Sequence, residues 1–235
     1  MALYAIGDTH LSLGGTKAMD TFGGAWVGYV DKLREGFAPL TREDQVVFCG
    51  DLSWGMSLEE ALPDFLFLDS LFPGEKYILK GNHDYWWTTA SKMYAFWQDH
   101  GITDFHLLHN NCHFYGETAL CGTRGWFFEE DNGHNEKVFR REVLRLETSL
   151  KEAGGREKLC FLHYPPLYVN YICQEIVDLL ERYQVRSCWY GHLHGGSHRL
   201  ALEGKRGSVD YHLVAGDYLR FRPRLVLPEI SSENS

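Results

Sequence analysis

Tyr77-Ile78-Leu79-Lys80-Gly81-Asn82-His83-Asp84 decides the reading of this chain. The first three residues form a short run of aromatic and branched apolar side chains, followed by Lys80 and stopped by glycine. Such a run reads as a buried strand, and the polar cluster behind it as the turn at the strand's C-terminal end. Working outward, the same pattern occurs four more times. Leu3-Tyr4-Ala5-Ile6 runs into Asp8-Thr9-His10, and Val46-Val47-Phe48-Cys49 runs into Gly50-Asp51. Leu159-Cys160-Phe161-Leu162 runs into His163, and Ser187-Cys188-Trp189-Tyr190 into Gly191-His192-Leu193-His194. Parallel strands place such ends on one edge, where ligands of α/β sheets bind. That edge would gather Asp8, Asp51, Asn82, His10, His163, His192 and His194, a donor set for two metal ions.

Spacing supports this. Side chains two apart on extended backbone point the same way, so Asp8 and His10 can share one ion. His192 and His194 can serve two neighbouring ions. Hydrolytic metal pairs lie roughly 3.5–4 Å apart, which calls for a bridging carboxylate; Asp51, hinged by Gly50, suits that role. Asn82 offers a neutral oxygen. A mixed set of imidazoles and carboxylates suits two divalent ions of the Mn, Fe, Zn or Ni kind, Mn first, better than Ca.

The ordered motifs resemble those of the calcineurin-like metallophosphoesterases, over most of the chain from Asp8 to His194. Within that family, GDLSWG and GNHDYWW look closest to a poorly characterised bacterial branch of phosphohydrolases. The resemblance implies an α/β fold, a four-layer αββα sandwich of two mixed sheets flanked by helices. It implies that Asp8, His10, Asp51 and His194 hold one metal, and that Asp51, Asn82, His163 and His192 hold the other. His83 would be the catalytic histidine, protonated and donating to the leaving oxygen, with Asp84 orienting it or capping a helix. The implied reaction is hydrolysis of a phosphoester by a metal-activated water. Protein phosphatases of the family carry Asp-Arg-Gly after the second motif. Here Leu52-Ser53-Trp54-Gly55 follows Asp51, which favours a small phosphodiester or nucleotide-type substrate. A phosphomonoesterase or protein phosphatase is the alternative among enzymes, and a non-catalytic metal-binding scaffold the alternative outside them.

Trp26, Trp54, Trp86, Trp87 and Trp126 lie in or beside the motif loops and could wall a pocket, although aromatics are commonly core residues. Trp54 and Trp126 are read as substrate contacts. Arg124, after another apolar run, could bind a phosphate oxygen or form a surface ion pair. Loops 11–28 and 124–135 (with Glu129, Glu130, Asp131 and His134) could cover the site. His100, His106, His109, His113, His198 and His212 lack a ligand-type context and read as ordinary surface or core residues.

A chain of 235 residues with 44% apolar and 23% charged residues suits a single domain over 1–235, with 228–235 a frayed tail. The net charge of −9 argues against a broad nucleic-acid surface. No run is long enough to cross a membrane. The strand at the N-terminus reads as the absence of a leader, so the expected setting is cytoplasmic, with all six cysteines reduced. Helices are expected over 29–38, from Ser57 to Leu71 with Pro63 a kink or a later start, from Thr88 or Thr89 to His100, over 136–153 and over 171–183. Further strands are expected at 105–109, 112–116, 118–122, 197–203 and 208–215.

Overall fold

The computed structural model describes residues 1–15, 17, 19–126 and 136–228. Alternation of side chains along each strand sets its layers. In β1 (Leu3–Ile6) and β2 (Gln45–Phe48), Leu3, Ala5 and Val47 face one way and Ile6, Val46 and Phe48 the other. The two strands pair in parallel, followed by β3 (Glu75–Ile78) and β4 (Phe105–Leu107). An antiparallel edge strand at Arg224–Leu227 completes this five-stranded first sheet beside β1.

The second sheet has six strands. Its parallel centre is β6 (Thr118–Thr123), β7 (Lys158–Leu162), β10 (Val185–Tyr190) and β12 (Val209–Leu213). Antiparallel β5 (Cys112–Tyr115) and β11 (Gly204–Arg206) form its edges. Leu3, Val47, Leu79, Leu120, Phe161, Trp189 and Val214 make the core between the sheets. α1 (Tyr29–Phe37), α2 (Leu58–Leu71) and α3 (Ala90–Asp99) cover the outer face of the first sheet. α4 (Glu136–Glu152) and α5 (Gln174–Arg182) cover the second. The result is the four-layer sandwich.

Register aligns four buried cysteines in one row across the second sheet. Cys112 pairs with Cys121, Cys121 lies beside Cys160, and Cys160 beside Cys188. All four face the helical layer, as does Cys173, while Cys49 belongs to the core between the sheets. All six are free thiols.

Two expectations change, a third (the helix capped by Ser57 and running to Leu71) holds without the later start, and one strand is new. The helix expected over 171–183 starts at Gln174, because Tyr171–Ile172 (β9) turns back at Asn170 to pair with Leu167–Tyr168 (β8), with the two tyrosine rings stacked at 4.9 Å. The strand expected at 197–203 is a 3₁₀ turn over Gly195–Leu200, and pairing begins at Gly204. α2 begins at Leu58, capped by the Ser57 hydroxyl accepting from Glu60 N, and includes Pro63. The last strand, Arg224–Leu227 (β13), is not among those expected. Loop 11–28 contains 3₁₀ turns at Met19–Phe22 and Gly24–Trp26. The tail after Pro228 and most of the 124–135 loop lie outside the described residues. Among the described residues, no helix is long and apolar enough to cross a membrane.

Candidate active site

The five motif turns meet at one edge, where the two sheets adjoin. Their approach is so close that a side chain on either of two glycines could not fit. A Cβ on Gly81 would strike the Asp51 carboxylate, and one on Gly191 would strike that of Asp8. The backbone is also unusual at the ligands. Asp8, His10, Asp51 and His192 have φ of 57°, 43°, 52° and 72°, a left-handed region that costs non-glycine residues energy. Asp8 and His10 therefore converge through a strained turn, and the extended alternation expected from the sequence does not apply there. The strain is held by bonds such as Asp8 N to Gly50 O at 2.8 Å and His10 N to Asp51 O at 2.9 Å.

Two groups of ligand atoms result, one of Asp8, His10 and His194 and one of Asp8, Asp51 and His163, each with its atoms within 4.8 Å of one another. The Nε2 atoms of His10 and His194 approach to 3.2 Å. Asn82 Oδ1 lies 2.6 Å from His163 Nε2 and 3.1 Å from His192 Nδ1, so these three also converge. Asp51 Oδ2 joins the groups, since it lies 3.6 Å from both His10 Nε2 and His163 Nε2. It is buried and has no hydrogen-bond partner among the described residues. A buried carboxylate oxygen facing imidazole nitrogens, with no donor of its own, is the environment a bridging cation satisfies.

Neighbouring groups fix the imidazole orientations. His163 Nδ1 meets the Cys49 carbonyl at 3.0 Å, and His194 Nδ1 meets Asp217 Oδ1 at 3.0 Å. Each contact uses one ring nitrogen and leaves Nε2 facing the cluster. Asp217 also accepts from Gly195 N and approaches His198 Nε2 at 3.1 Å. Reading the sequence alone misses Asp217 and takes His198 as ordinary. The available signal is a further Gly-Asp, Gly216-Asp217, behind the apolar run of β12.

Burial and mutual charge shift these groups strongly. Burial, then Asp8, pushes the Asp51 carboxyl well above its ordinary range. Burial would also raise Asp8, but His194, His163 and His10 together outweigh it and hold Asp8 low. Burial keeps His10 and His163 down, and burial with His163 takes His192 to about 3. His194 moves the other way: against burial, Asp8 and the bond to Asp217 push it up to about 10. Neutral imidazoles beside carboxylates are ready ligands, because only an unprotonated nitrogen can coordinate.

His83 lies at the rim, its ring 5.7 Å from His10 and 4.4 Å from Trp54. Burial, then His163 and Lys17, pushes it down to about 4. A neutral imidazole at this position carries one N–H donor. Its Nδ1 is 3.3 Å from the Tyr85 hydroxyl. Asp84, expected to orient His83 or cap a helix, does something else. Its carboxylate accepts from the backbone N–H of Gly81, Asp51 and Leu52 and from Trp86 Nε1. It thereby ties the second motif turn to the third. Burial and Asp51 push it up to about 7, while the amides of Gly81 and Leu52 act against that shift.

The tryptophans divide. Trp54 stacks on His10 at 5.0 Å, and the Lys17 ammonium sits 3.1 Å from the centre of the same indole. Trp26 lies 5.7 Å from both His10 and His194. Trp86 packs edge-on against Phe65 in the core. Trp87 faces His109, and Trp126 packs toward Phe139 and Arg124 instead of toward the ligand cluster. His10, Met19, Phe22, Trp26, Trp54 and His83 line a cavity of about 680 Å³ over the first ligand group.

An αββα sandwich carrying this donor cluster at the shared edge of its sheets defines a metal-dependent hydrolase of phosphoesters. A sequence model of the calcineurin-like phosphoesterases matches residues 1–196, and the chain belongs to that family. The fold is shared with a protein of unknown function, AQ665, from Aquifex aeolicus, at 13% identity, 95% coverage of both chains and a TM-score of 0.53. It is also shared with TT1561 of Thermus thermophilus, at 11% identity, coverage of 96% of this chain and 97% of that one, and a TM-score of 0.52. No curated protein matches the sequence.

Proposed function

We propose that the chain hydrolyses a small phosphodiester or nucleotide-type phosphoester. The observation that carries the hydrolytic centre is Asp51 Oδ2, 3.6 Å from an imidazole of each ligand group. On this reading Asp8, His10, Asp51 and His194 hold one divalent ion, and Asp51, Asn82, His163 and His192 the other. Mn fits the mixed oxygen and nitrogen donors well, as do Fe, Zn and Ni. Two such cations would supply Lewis-acid charge to a phosphoryl group and lower the pKa of water toward neutrality.

The chain's own residues do the rest. His83, with one N–H, donates to the leaving oxygen from the rim of the cluster. Asp84 holds the Asp51 and Gly81 turns together through backbone amides, so it positions the carboxylate that spans the two ligand groups. The cavity walled by Met19, Phe22, Trp26 and Trp54 suits a flat or apolar group beside the phosphate, by stacking and area burial. The stretch Leu52-Ser53-Trp54-Gly55 behind Asp51 has no arginine of the kind the family's protein phosphatases carry after this motif. Six free thiols accord with a reducing, cytoplasmic setting.

The test is a side-by-side rate comparison on the Mn-loaded protein of small diesters, nucleotides, phosphopeptides and plasmid DNA. Small diesters or nucleotides should be turned over fastest. Preference for phosphopeptides or duplex DNA overturns the substrate reading, and the absence of any turnover favours the scaffold.

A further inference from the structure

The chain is acidic, with net charge −9, yet it builds one locally cationic cavity. Lys80, His109, Arg124, Arg141, Glu142 and Arg145 are among its lining residues, around a space of about 300 Å³. These side chains come from four places. Lys80 follows β3, His109 follows β4, Arg124 follows β6, and the other three lie on α4. Four cationic side chains thus surround one carboxylate.

That carboxylate is already committed. Glu142 is 1% exposed, accepts from Thr123 Oγ1 at 3.1 Å, pairs with Arg145, and lies 3.9 Å from Arg124. Lys80 and Arg141 have no ion pair among the described residues. His109 Nδ1 is buried with no hydrogen-bond partner among them. Converging like charges and an unsatisfied imidazole nitrogen both cost stability unless an anion completes them. A space of this size accommodates a phosphate.

The cavity adjoins the hydrolytic centre. The Arg124 carbonyl accepts from the backbone N–H of His163 at 3.1 Å and of Tyr164 at 2.9 Å. The Arg124 guanidinium carbon is 6.0 Å from the Tyr164 ring, which lies 4.6 Å from His192 and 5.1 Å from His163. One aromatic ring therefore separates the cationic cavity from the second ligand group, on the flank away from Trp26 and Trp54.

We propose that Lys80, Arg124, Arg141 and Arg145 form a phosphate subsite beside the hydrolytic centre. It is filled by a second phosphate of the bound substrate or by free phosphate. The first case rests on the hydrolytic reading given above, and would make a substrate with two phosphates the preferred class. Arginines offer paired donors that match phosphate oxygens.

The experiment has two arms, both on the metal-loaded protein. In the first, the p-nitrophenyl ester of thymidine 5′-phosphate is compared with the same ester carrying a 3′-phosphate. The phosphorylated ester should be favoured in kcat/KM by roughly tenfold, mainly through KM. In Lys80→Gln/Arg141→Gln that ratio should fall toward one, and in Arg141→Glu, at an exposed position, it should fall as well. In the second arm, inorganic phosphate is titrated calorimetrically. Wild type should take up one more phosphate per chain than the double variant, whether or not either ester is hydrolysed. A ratio of one with no difference in phosphate stoichiometry overturns the subsite. Extra phosphate binding with a ratio of one assigns the subsite to free phosphate. Failure of both esters to react, with the extra binding retained, refutes the hydrolytic reading and leaves the subsite standing.

Discussion

The two sheets bring unlike chemistry to their common edge. The turns of the first sheet deliver Asp8, His10, Asp51 and Asn82, three oxygen donors and one imidazole. Those of the second deliver His163, His192 and His194, nitrogen donors alone. Three of the four ligands with left-handed backbone, Asp8, His10 and Asp51, belong to the first sheet. The first sheet thus supplies carboxylate charge through strained turns, and the second supplies imidazoles oriented by the Cys49 carbonyl and Asp217. Neither half assembles either ligand group alone, and the core between the sheets is what holds the halves together.

The sharpest way to break this asymmetry is to remove the shared charge. Asp51→Asn should lower kcat/KM by on the order of 10⁴ or more, since several kcal/mol of charge compensation at both ions is at stake. Elemental analysis should show both metals depleted. His192→Ala, on the second sheet, should deplete about one metal per chain. Equal depletion by the two variants would mean that Asp51 does not bridge.

A change at His83 separates chemistry from metal holding. His83→Ala should retain both metals while kcat falls by roughly 10²–10⁴, less for esters with good leaving groups. Loss of a metal in this variant would make His83 a ligand. The second sheet's own support is tested at Asp217. Asp217→Ala removes the partner of His194 and should weaken metal binding by roughly 10–100-fold, read by chelator competition. No change would leave His194 oriented by the turn alone.

The smallest effect concerns the first sheet's fold. Asp44 accepts from Ala2 N at 2.7 Å and Thr41 N at 2.8 Å, pinning the start of β1 to the turn before β2. Burial opposes ionisation, but these amide bonds outweigh it and lower the carboxyl below its ordinary value. A lowered folded pKa means the contribution is complete above the unfolded value, about 3.9, and is lost as pH falls through the folded value. Asp44→Asn should therefore cost about 1–3 kcal/mol at pH 7, and the difference from wild type should vanish in acid. Denaturant unfolding followed from pH 7 downward checks this, the gap between the two proteins narrowing as pH falls below about 3.9.

The motif strands were legible because both faces of each are buried, so apolar runs end abruptly at polar turns. The order of those turns carried the family and the convergence of the seven candidate ligand residues. What local pattern could not show was competition between alternatives. Tyr171 and Ile172 fit an amphipathic helix, but Asn170 adopts a left-handed turn and the pair forms a hairpin instead. Arg224–Leu227 is a half-exposed edge strand, so its alternation is weak. Trp86 and Trp54 sit in similar motif loops, yet one packs on Phe65 and the other on His10, a choice made by tertiary packing. Asp84 bonds across to a turn more than thirty residues away, which spacing does not reveal.

The row of thiols across the second sheet gives the protein a built-in clock. Cys112, Cys121, Cys160 and Cys188 lie beneath α4 and α5, and burial raises the thiols of Cys112, Cys121 and Cys160, so the reactive thiolate is scarce in the closed state. A thiol reagent must wait for the helical cover to lift. Its labelling rate then reports the opening free energy of that layer. Cys49, between the sheets, keeps separate time for the seam that joins the oxygen-bearing half of the centre to the nitrogen-bearing half.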